Sequence, residues 1–418
     1  MNNKYPFLIL LLLLASFNQA SFGQVKNKKI ARESFISVTD SILNSQVDLN
    51  KIPGAVIEIK KEGRVIYKKA YGLASRFDYN NQLQKSPEKM TSHHLFDIAS
   101  LTKVIGTTTS IMLLVDRGLL NIDDPVSKYI PAFASPEKRS ITLRHLLTHT
   151  AGLHEWYPLY YRSADKKETY KIIEELPLKY PVGERRSYSD LGFVLLGEII
   201  ESVSGMPLEK FMNKNIFQPL KMTKTTYNPL ASGKFKKIAS TSHGNPYEKR
   251  MVYDSTLGYR FAEIDPLSWN GWRTYTLRGE VNDGNAWYAN KGISGAAGLF
   301  SPVDDLQKLV DMLINKGKSR SGHFISESTI DKFLEKDKFN NGLGWMMDPV
   351  NSFMRNGPTG TFGHTGFTGT SICVIPDKEI SVILLINRQN TGLLKSEEYY
   401  NVNPVRLQIF NAVKKYLL

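Results

Sequence analysis

The chain has 418 residues, 41% hydrophobic and 22% charged, which are the proportions of a soluble globular protein with a large core in one or two domains. The formal charge of +14 comes from scattered Lys and Arg residues, so no basic run indicates a nucleic-acid partner, and the charge serves either solubility or attraction to anionic envelope polymers. Cys373 is the only cysteine, which excludes an intramolecular disulfide framework.

Residues 1–23 are predicted to be a signal peptide. Lys4 precedes an apolar run over 7–15, and small residues lead to Gly23, which is the pattern of a cleaved secretory signal. We therefore expect cleavage near Gly23, a mature domain over 24–418, and a periplasmic or secreted protein. The run is too short to span a bilayer comfortably, and no cysteine follows it to carry a lipid, so stable membrane insertion is not expected.

The next segments are predicted to form a helix and a hairpin before a long buried helix. A polar-faced helix is expected over 30–48, and two apolar strands over 54–59 and 64–67 flank a glycine turn. A polar connection over 80–91 follows. Apolar residues then recur at helical spacing over 101–115, which predicts a buried helix.

The remaining two thirds begin mainly helical and end in strands. Between the two patterns lies an aromatic region over 247–288 in which helical periodicity fades. The expected elements are a helical stretch over 121–218, helices over 303–314 and 327–334, strands over 370–375 and 380–386, and a C-terminal helix over 404–416.

Strand-like segments at both ends of the chain predict the fold class. We expect an α/β fold in the α+β sense, in which an antiparallel sheet built from the chain termini is flanked by helices. The sheet lobe would comprise about 30–95 and 295–418, and an inserted helical and aromatic lobe about 96–294. A cleft between such lobes is the natural place for a ligand.

Ser100 and Lys103 form a Ser-x-x-Lys pattern at the start of the buried helix. Residues three apart on a helix share a face, so the Lys103 amine can reach the Ser100 hydroxyl, and a serine needs such a neighbour to become a nucleophile. Free N–H groups in the first turn suit an oxyanion. Matches that begin at Ser86, Ser135 and Ser163 lie in polar sequence and are interpreted as solvated side chains. A plain helix-capping serine is the alternative for Ser100.

Two further motifs follow in order. Tyr188-Ser189-Asp190 precedes an apolar helix, and His364-Thr365-Gly366 precedes a strand. Together with Ser100 to Lys103, they make the chain resemble the serine β-lactamase and penicillin-binding-protein superfamily. The nearest branch contains class C β-lactamases, D-Ala-D-Ala carboxypeptidases, D-aminopeptidases and related esterases. The phrase His145-Leu-Leu-Thr-His149-Thr-Ala-Gly-Leu also resembles that branch, and the likeness extends over nearly all of 30–418.

The resemblance implies a β-lactamase/transpeptidase-like fold and a set of roles. Ser100 would be the nucleophile that forms an acyl-enzyme, Lys103 would share its proton, and Tyr188 would be the base and proton shuttle, with a pKa lowered by Lys103. The backbone N–H groups of Ser100 and Phe367 would form the oxyanion hole. Substrate-binding residues would be Asp190, His364, Thr365 and Gly366. No metal or other cofactor is implied.

Two residues depart from the family pattern. Asp190 stands where asparagine is usual, and its carboxylate should hold Lys103 protonated, which favours Tyr188 as the base. His364 stands where many members have lysine, so we expect recognition of a substrate carboxylate to depend on pH.

Several alternatives stay open. Tyr288 also fits a Tyr-x-Asn pattern, and the aromatic region around it is either core or the lining of a sugar or peptide pocket. His145 and His149 have the i, i+4 spacing of a zinc pair, but no Glu follows His145 as such a motif requires. The segments 279–286 and 295–301 resemble a sub-branch of exported cell-wall hydrolases, whose members often have histidines where Asn282 and Ala296 stand. If those histidines shape the pocket, the substrate differs here.

The sequence thus predicts an exported serine hydrolase that acts through an acyl-enzyme on an amide or ester bond. The expected substrate is a small molecule or cell-wall peptide, above all a peptidoglycan peptide or muropeptide. One alternative is an esterase or β-lactamase with the same machinery. Another is a non-catalytic cell-wall or β-lactam sensor that acylates without turnover. The oligomeric state stays open.

Overall fold

Two apolar segments, one near each end of the chain, form the centre of the fold. The computed structural model describes residues 30–259, 261–319 and 322–418, so the predicted signal peptide and its cleavage site lie outside the described residues. Gly54–Lys61 and Ile380–Ile386 pair as antiparallel strands. Almost all their side chains are buried, as in strands covered by helices on both faces of a sheet.

Both chain ends contribute to one main sheet. In the described part of the chain, the strands are β1 (Gly54–Lys61), β2 (Arg64–Asp78), β3 (Gln82–Lys89), β4 (Phe96–Asp97), β5 (Thr226–Tyr227), β6 (Leu299–Ser301), β7 (Lys318–Ser319), β8 (Gly322–His323), β9 (Phe362–Thr365), β10 (Ser371–Ile375) and β11 (Ile380–Ile386). Six of them form an antiparallel sheet in the order β3-β2-β1-β11-β10-β9. A small sheet has the order β4-β6-β5, and β7 pairs with β8.

Helices cover the sheet and fill the segment between its two halves. Over the described residues, they are α1 (30–48), α2 (Thr109–Asp116), α3 (Leu143–Leu147), α4 (Lys166–Glu175), α5 (Asp190–Ser204), α6 (Leu208–Met212), α7 (Pro246–Tyr253), α8 (Val303–Ile314), α9 (Glu327–Phe333) and α10 (Asn403–Leu417). Among them, no single helix has both the length and the hydropathy to cross a bilayer, and only the pair Asp190–Ser204 with Leu208–Phe217, bent by 73°, meets that test together.

Side chains alternate along each strand and therefore feed two separate cores. Val56 belongs to a core that also contains residues of α2, α5 and α8. Its neighbour Ile57 belongs to a second core, which includes Phe35 of α1 and Phe410 of α10. The sheet is thus a middle layer, with the chain-terminal helices on one face and the central helices on the other.

The predicted fold class is confirmed, and α8 and β11 have the expected boundaries. The predicted polar connection over 80–91 is wrong, because β3 occupies Gln82–Lys89 and pairs with β2. The side chains of this edge strand are exposed or half-buried, so β3 lacks the alternation that marks a strand with one buried face. The boundaries of the two lobes stay a prediction.

Candidate active site

Ser100 lies in a strained turn between β4 and the helical segment that begins at residue 101. Ala99 has a φ of +46°, in the left-handed region that costs a residue with a Cβ roughly 1–2 kcal/mol. Asp97 holds the turn, since its Oδ1 accepts a 2.9 Å hydrogen bond from the Ala99 N–H and its Oδ2 a 2.6 Å hydrogen bond from the Asn282 N–H. Burial raises the pKa of Asp97 to about 6. Beyond Ser100, the π-helical turns of Lys103–Thr108 lead into α2.

Lys103 is buried and uses its amine on three partners. Nζ lies 3.0 Å from Ser100 Oγ, 2.9 Å from the Ala296 carbonyl and 2.6 Å from Asp190 Oδ1. Burial acts to lower the pKa of Lys103, but the Asp190 carboxylate outweighs it and holds that pKa above its usual value. Lys103 is therefore an ammonium that donates to Ser100 Oγ and to the Ala296 carbonyl and forms an ion pair with Asp190.

Tyr188 lies two residues before Asp190, the first residue of α5, and next to the capping residue Ser189. The Ser189 hydroxyl caps α5 by accepting from the Gly192 N–H at 3.3 Å. The Tyr188 ring centroid lies 5.2 Å from Lys103 Nζ. Burial raises the pKa of Tyr188, with Lys103 acting to lower it and Asp190 to raise it. Lys103 thus acts on the pKa of Tyr188 in the expected direction, but burial and Asp190 outweigh the ammonium and the pKa is raised overall.

His364 and Thr365 end the edge strand β9. The His364 ring centroid lies 6.0 Å from that of Tyr188, and Nδ1 donates to the Thr365 carbonyl at 2.9 Å. Because a carbonyl oxygen only accepts, Nε2 of the neutral ring is an acceptor. Burial lowers the pKa of His364 to about 3, and Lys103 adds to the effect. The expected titrating charge at His364 is therefore wrong, since the residue is neutral in the physiological range.

Gly366 begins a turn that is attached to the strand before Ser100. A Cβ at Gly366 would lie 2.2 Å from Thr370 Oγ1 and 2.5 Å from the Ile98 carbonyl oxygen, so only glycine fits. The Thr370 hydroxyl donates to the Ile98 carbonyl at 3.1 Å, and the Thr368 hydroxyl donates to the Asp97 carbonyl at 2.7 Å. These two bonds keep the third motif against the nucleophile turn.

Phe367 lies at the tip of this turn and is 41% exposed. Arg388 Nε donates to the Phe367 carbonyl at 2.9 Å, and its guanidinium lies 5.1 Å from the Phe367 ring centroid. Within the described residues, neither the Ser100 N–H nor the Phe367 N–H donates to another protein group. Both are therefore free to donate to a substrate oxygen, as an oxyanion hole requires.

Two positions at which the sub-branch often has histidine lie in this site. Asn282 donates its N–H to Asp97 and accepts a 2.5 Å hydrogen bond from the Ser242 hydroxyl at Oδ1. Ala296 provides the carbonyl that binds Lys103. The adjacent Asp283 has a pKa raised to about 6 by burial and by the Asp190 charge. The substitution of both histidines thus changes the wall of the site.

The structure gives Tyr288 and the pair His145 and His149 other contacts than a second-motif tyrosine or a zinc pair would have. Tyr288 donates to Asn245 Oδ1 at 2.9 Å and accepts from the Arg273 N–H, in an aromatic cluster that packs on the main core. His145 Nδ1 faces Thr142 at the start of α3. His149 faces Ser189 instead. Among the described residues, no group of three or more His, Cys, Asp or Glu side chains could hold a metal ion.

His149 is the residue of this site that the sequence analysis missed. Its Nδ1 accepts a 3.0 Å hydrogen bond from the Ser189 N–H, and its ring centroid lies 4.4 Å from that of Tyr188. The available signal was its place in the phrase that starts at His145, between the first two motifs.

A family model described as Beta-lactamase matches residues 40–404. The chain belongs to the β-lactamase family. It is 33% identical to the N-acetylmuramyl-L-alanine amidase of Bacillus subtilis strain 168, over 84% of this chain and 80% of that protein. It is 31% identical to a protein of Escherichia coli K12 that is named D-alanyl-D-alanine carboxypeptidase, over 96% of this chain and 94% of that protein. The octameric penicillin-binding protein homologue from Pyrococcus abyssi superposes with a TM-score of 0.64 at 25% identity, over 85% of this chain and 74% of that one.

These similarities confirm the superfamily that the three motifs indicated. This β-lactamase family member is a serine hydrolase, and its fold is that of the penicillin-binding-protein homologues.

Proposed function

We propose that this hydrolase is exported and cleaves an amide bond in peptidoglycan peptides or muropeptides through an acyl-enzyme on Ser100. The observation that carries the proposal is the Lys103 ammonium, 3.0 Å from Ser100 Oγ and 2.6 Å from Asp190 Oδ1. The relatives named amidase and carboxypeptidase support a cell-wall substrate, and the N-terminal sequence pattern supports export.

In the proposed acylation, Ser100 Oγ attacks the amide carbon while its proton passes to the Tyr188 phenolate. The Lys103 ammonium stabilises that phenolate, and the Ser100 and Phe367 N–H groups donate to the oxyanion. Tyr188 then gives the proton to the leaving nitrogen as the C–N bond breaks. Water deprotonated by Tyr188 attacks the ester, and the proton returns to Ser100 Oγ as the acid leaves. Because the Tyr188 pKa is raised, the phenolate is a minor form whose fraction grows with pH.

The neutral state of His364 favours the amidase type over the carboxypeptidase type. Removal of a C-terminal residue leaves a free carboxylate in the site, and a cation is the usual means of binding it. His364 supplies none near neutral pH. Of the cations whose charge acts on His364, Lys103 is paired with Asp190 and Arg406 donates to the Gly366 and Thr370 carbonyls, which leaves Arg186. An internal amide places no such charge beside His364.

Incubation with purified muropeptides, followed by mass spectrometry of the products, tests the proposal. Amidase action releases the intact peptide from the amino sugar, whereas carboxypeptidase action removes one terminal alanine. Ser100→Ala should abolish product and labelling by a fluorophosphonate probe with an unchanged circular dichroism spectrum. Labelling that survives in Ser100→Ala would remove Ser100 from the mechanism.

The remaining alternatives give different results in the same assay. An esterase or β-lactamase would leave muropeptides intact and turn over an ester or a β-lactam. A sensor would show one equivalent of covalent adduct by intact mass and no steady-state product. Steady release of peptide from muropeptides contradicts both alternatives.

A further inference from the structure

His149 lies just beyond α3 and has a positive backbone φ. Its φ is +60°, in the left-handed region that is uncommon for residues with a Cβ, and it is only 4% exposed. Such a conformation persists only where the surrounding structure holds it. The contacts that hold it involve the second motif.

His149 contacts residues 187–189 at three points. Its carbonyl accepts a 2.9 Å hydrogen bond from the Ser187 N–H, and its Nδ1 accepts a 3.0 Å hydrogen bond from the Ser189 N–H. Between these bonds, its ring packs against the Tyr188 ring at 4.4 Å between centroids. One residue thus fixes the backbone on each side of Tyr188 and the ring of Tyr188 itself.

The hydrogen bond to Ser189 requires one protonation state of His149. Nδ1 accepts from an N–H, so it carries no proton, and the neutral ring has its proton on Nε2. Burial lowers the pKa of His149 well below its usual value, and the charges of Arg186 and Lys103 lower it further. On its other side the ring packs on Phe193, at 5.2 Å between centroids, which brings no charge.

We infer that His149 is the positioning residue for Tyr188, and that the bond from Ser189 to its Nδ1 sets the position of the Tyr188 hydroxyl relative to Ser100 and Lys103. This inference rests on the proposed role of Tyr188 as the base. The same bond also places Ser189, which caps α5, so the segment that carries Asp190 starts from a fixed point.

Two substitutions separate this hydrogen bond from the backbone conformation. Asparagine and glycine both adopt positive φ readily, but only asparagine has an acceptor, Oδ1, at the place of the histidine Nδ1. The rate of Ser100 labelling by a fluorophosphonate, with the probe in excess, is measured for each variant together with its melting temperature. We expect His149→Asn to stay within about tenfold of the natural protein and His149→Gly to be about 100-fold slower, the cost of a small misplacement of a reacting group.

His145→Asn is the matched control, because His145 lies in α3 and bonds to Thr142 instead of to the second motif. Its labelling rate should be unchanged. If His149→Gly melts below the assay temperature, His149→Gln takes its place, since Oε1 of glutamine lies too far along the side chain to accept from Ser189. Equal labelling rates in the asparagine variant and the variant without the acceptor would overturn the inference, as would losses that follow the melting temperature alone.

Tyr188→Phe distinguishes the failure of this inference from the failure of the proposed function. If Tyr188→Phe labels as fast as the natural protein, Tyr188 is not the base and both proposals fail. If Tyr188→Phe abolishes labelling while folded His149→Gly labels at the natural rate, only the positioning role of His149 fails.

Discussion

Asp190 acts on two titrating groups, and the two effects have the same sign. Its carboxylate raises the pKa of Lys103, 2.6 Å away, and adds to the burial that raises the pKa of Tyr188. The first effect keeps the ammonium that stabilises a phenolate. The second makes that phenolate harder to form at neutral pH. The family's usual asparagine would supply an acceptor without the second effect.

The acylation rate should therefore rise with pH and still be rising near pH 9. In Asp190→Asn the rising part of the pH–rate profile should lie about one pH unit lower, because a negative charge close to Tyr188 is removed. The activity of this variant at pH 7 should stay within about tenfold of the natural protein. Asp190→Ala should lose more activity, since it leaves the buried Lys103 without that acceptor. Labelling rates between pH 6 and 10 provide the measurement. If the rising part of the profile stays in place or moves to higher pH in Asp190→Asn, the group whose titration controls the rate is not Tyr188.

The neutral state of His364 predicts that KM for an acidic substrate does not change with pH, whereas a histidine that titrates would make KM rise with pH. With its pKa lowered to about 3, KM for a substrate with a free carboxylate should be constant between about pH 5 and 8. His364→Lys should lower KM for that substrate and leave KM for the matching amide unchanged. A KM that rises with pH in the natural protein contradicts the neutral state of His364.

At the scale of elements, the turn after β9 joins two parts of the site that are far apart in the chain. Thr368 and Thr370 attach it to the carbonyls that precede Ala99 and Ser100, and Arg388 binds the Phe367 carbonyl. The two proposed oxyanion donors therefore belong to one hydrogen-bonded unit. A substitution that displaces this turn should lower the acylation rate more than it weakens substrate binding.

Gly366→Ala should displace this turn, because the new Cβ would lie 2.5 Å from the Ile98 carbonyl oxygen. We expect labelling of Ser100 to fall about 100-fold with a smaller change in KM. Gly192→Ala is the control, since its Cβ would have a nearest neighbour at 3.6 Å and alanine suits a helix better than glycine. Equal effects of the two substitutions would argue against a special role for the turn.

Helix α5 also carries Glu198, a carboxyl group in surroundings that disfavour its charge. Glu198 Oε2 is buried without a hydrogen-bond partner among the described residues, and burial together with Glu174 and Glu201 raises the pKa of Glu198 to about 8. When folding raises the pKa of a carboxyl group, the free energy of unfolding of the protein falls as pH rises from the unfolded-state pKa to the folded-state pKa. The destabilisation by Glu198 therefore grows between about pH 4.5 and 8 and is complete above pH 8.

Glu198→Gln should remove this penalty. The variant should match the natural protein near pH 4.5 and be more stable by about 1–3 kcal/mol at pH 7.5, since each pKa unit corresponds to about 1.4 kcal/mol and partial exposure reduces the effect. Urea unfolding at both pH values provides the measurement. The exposed Glu168→Gln in α4 is the control and should change stability by less than about 0.5 kcal/mol. A gain that is equal at both pH values would rule out titration as its cause.

At the scale of the whole molecule, the elements predicted correctly are those with strong hydrophobic patterns. β11 is a nearly continuous apolar run and α8 has apolar residues at helical spacing, so their boundaries match. β3 has no such pattern, because its side chains are exposed or half-buried, and it is held by its pairing with β2. Local patterns therefore located the layers but missed the edge of the sheet.

The sequence predicted the residue types of the site and the protonated Lys103 beside Asp190, but not the charge states of Tyr188 and His364. Motif order alone identified Ser100, Lys103 and Tyr188, which the structure brings together around the Lys103 amine. The pKa directions of Tyr188 and His364 depend on burial by distant segments, which spacing does not reveal. His149 was paired with His145 on helical spacing, yet α3 ends at Leu147.

Export is the prediction that concerns the whole chain. The mature protein should begin near Gln24 and appear in the soluble periplasmic or secreted fraction, which N-terminal peptide mass spectrometry of fractionated cells would show. Recovery only in the membrane pellet, with the apolar segment over 7–15 retained, contradicts this prediction.

The pairing of β1 with β11 has a consequence for how the molecule is made. Ala55 lies opposite Ile386, so the two central strands of the sheet cannot meet until a ribosome has synthesised almost the entire chain. Contacts between such distant residues slow folding, because a very long loop must close before they form. Chains truncated before β11 should therefore expose the apolar side chains of β1 and aggregate. The last strand synthesised completes the sheet on which all three motifs depend.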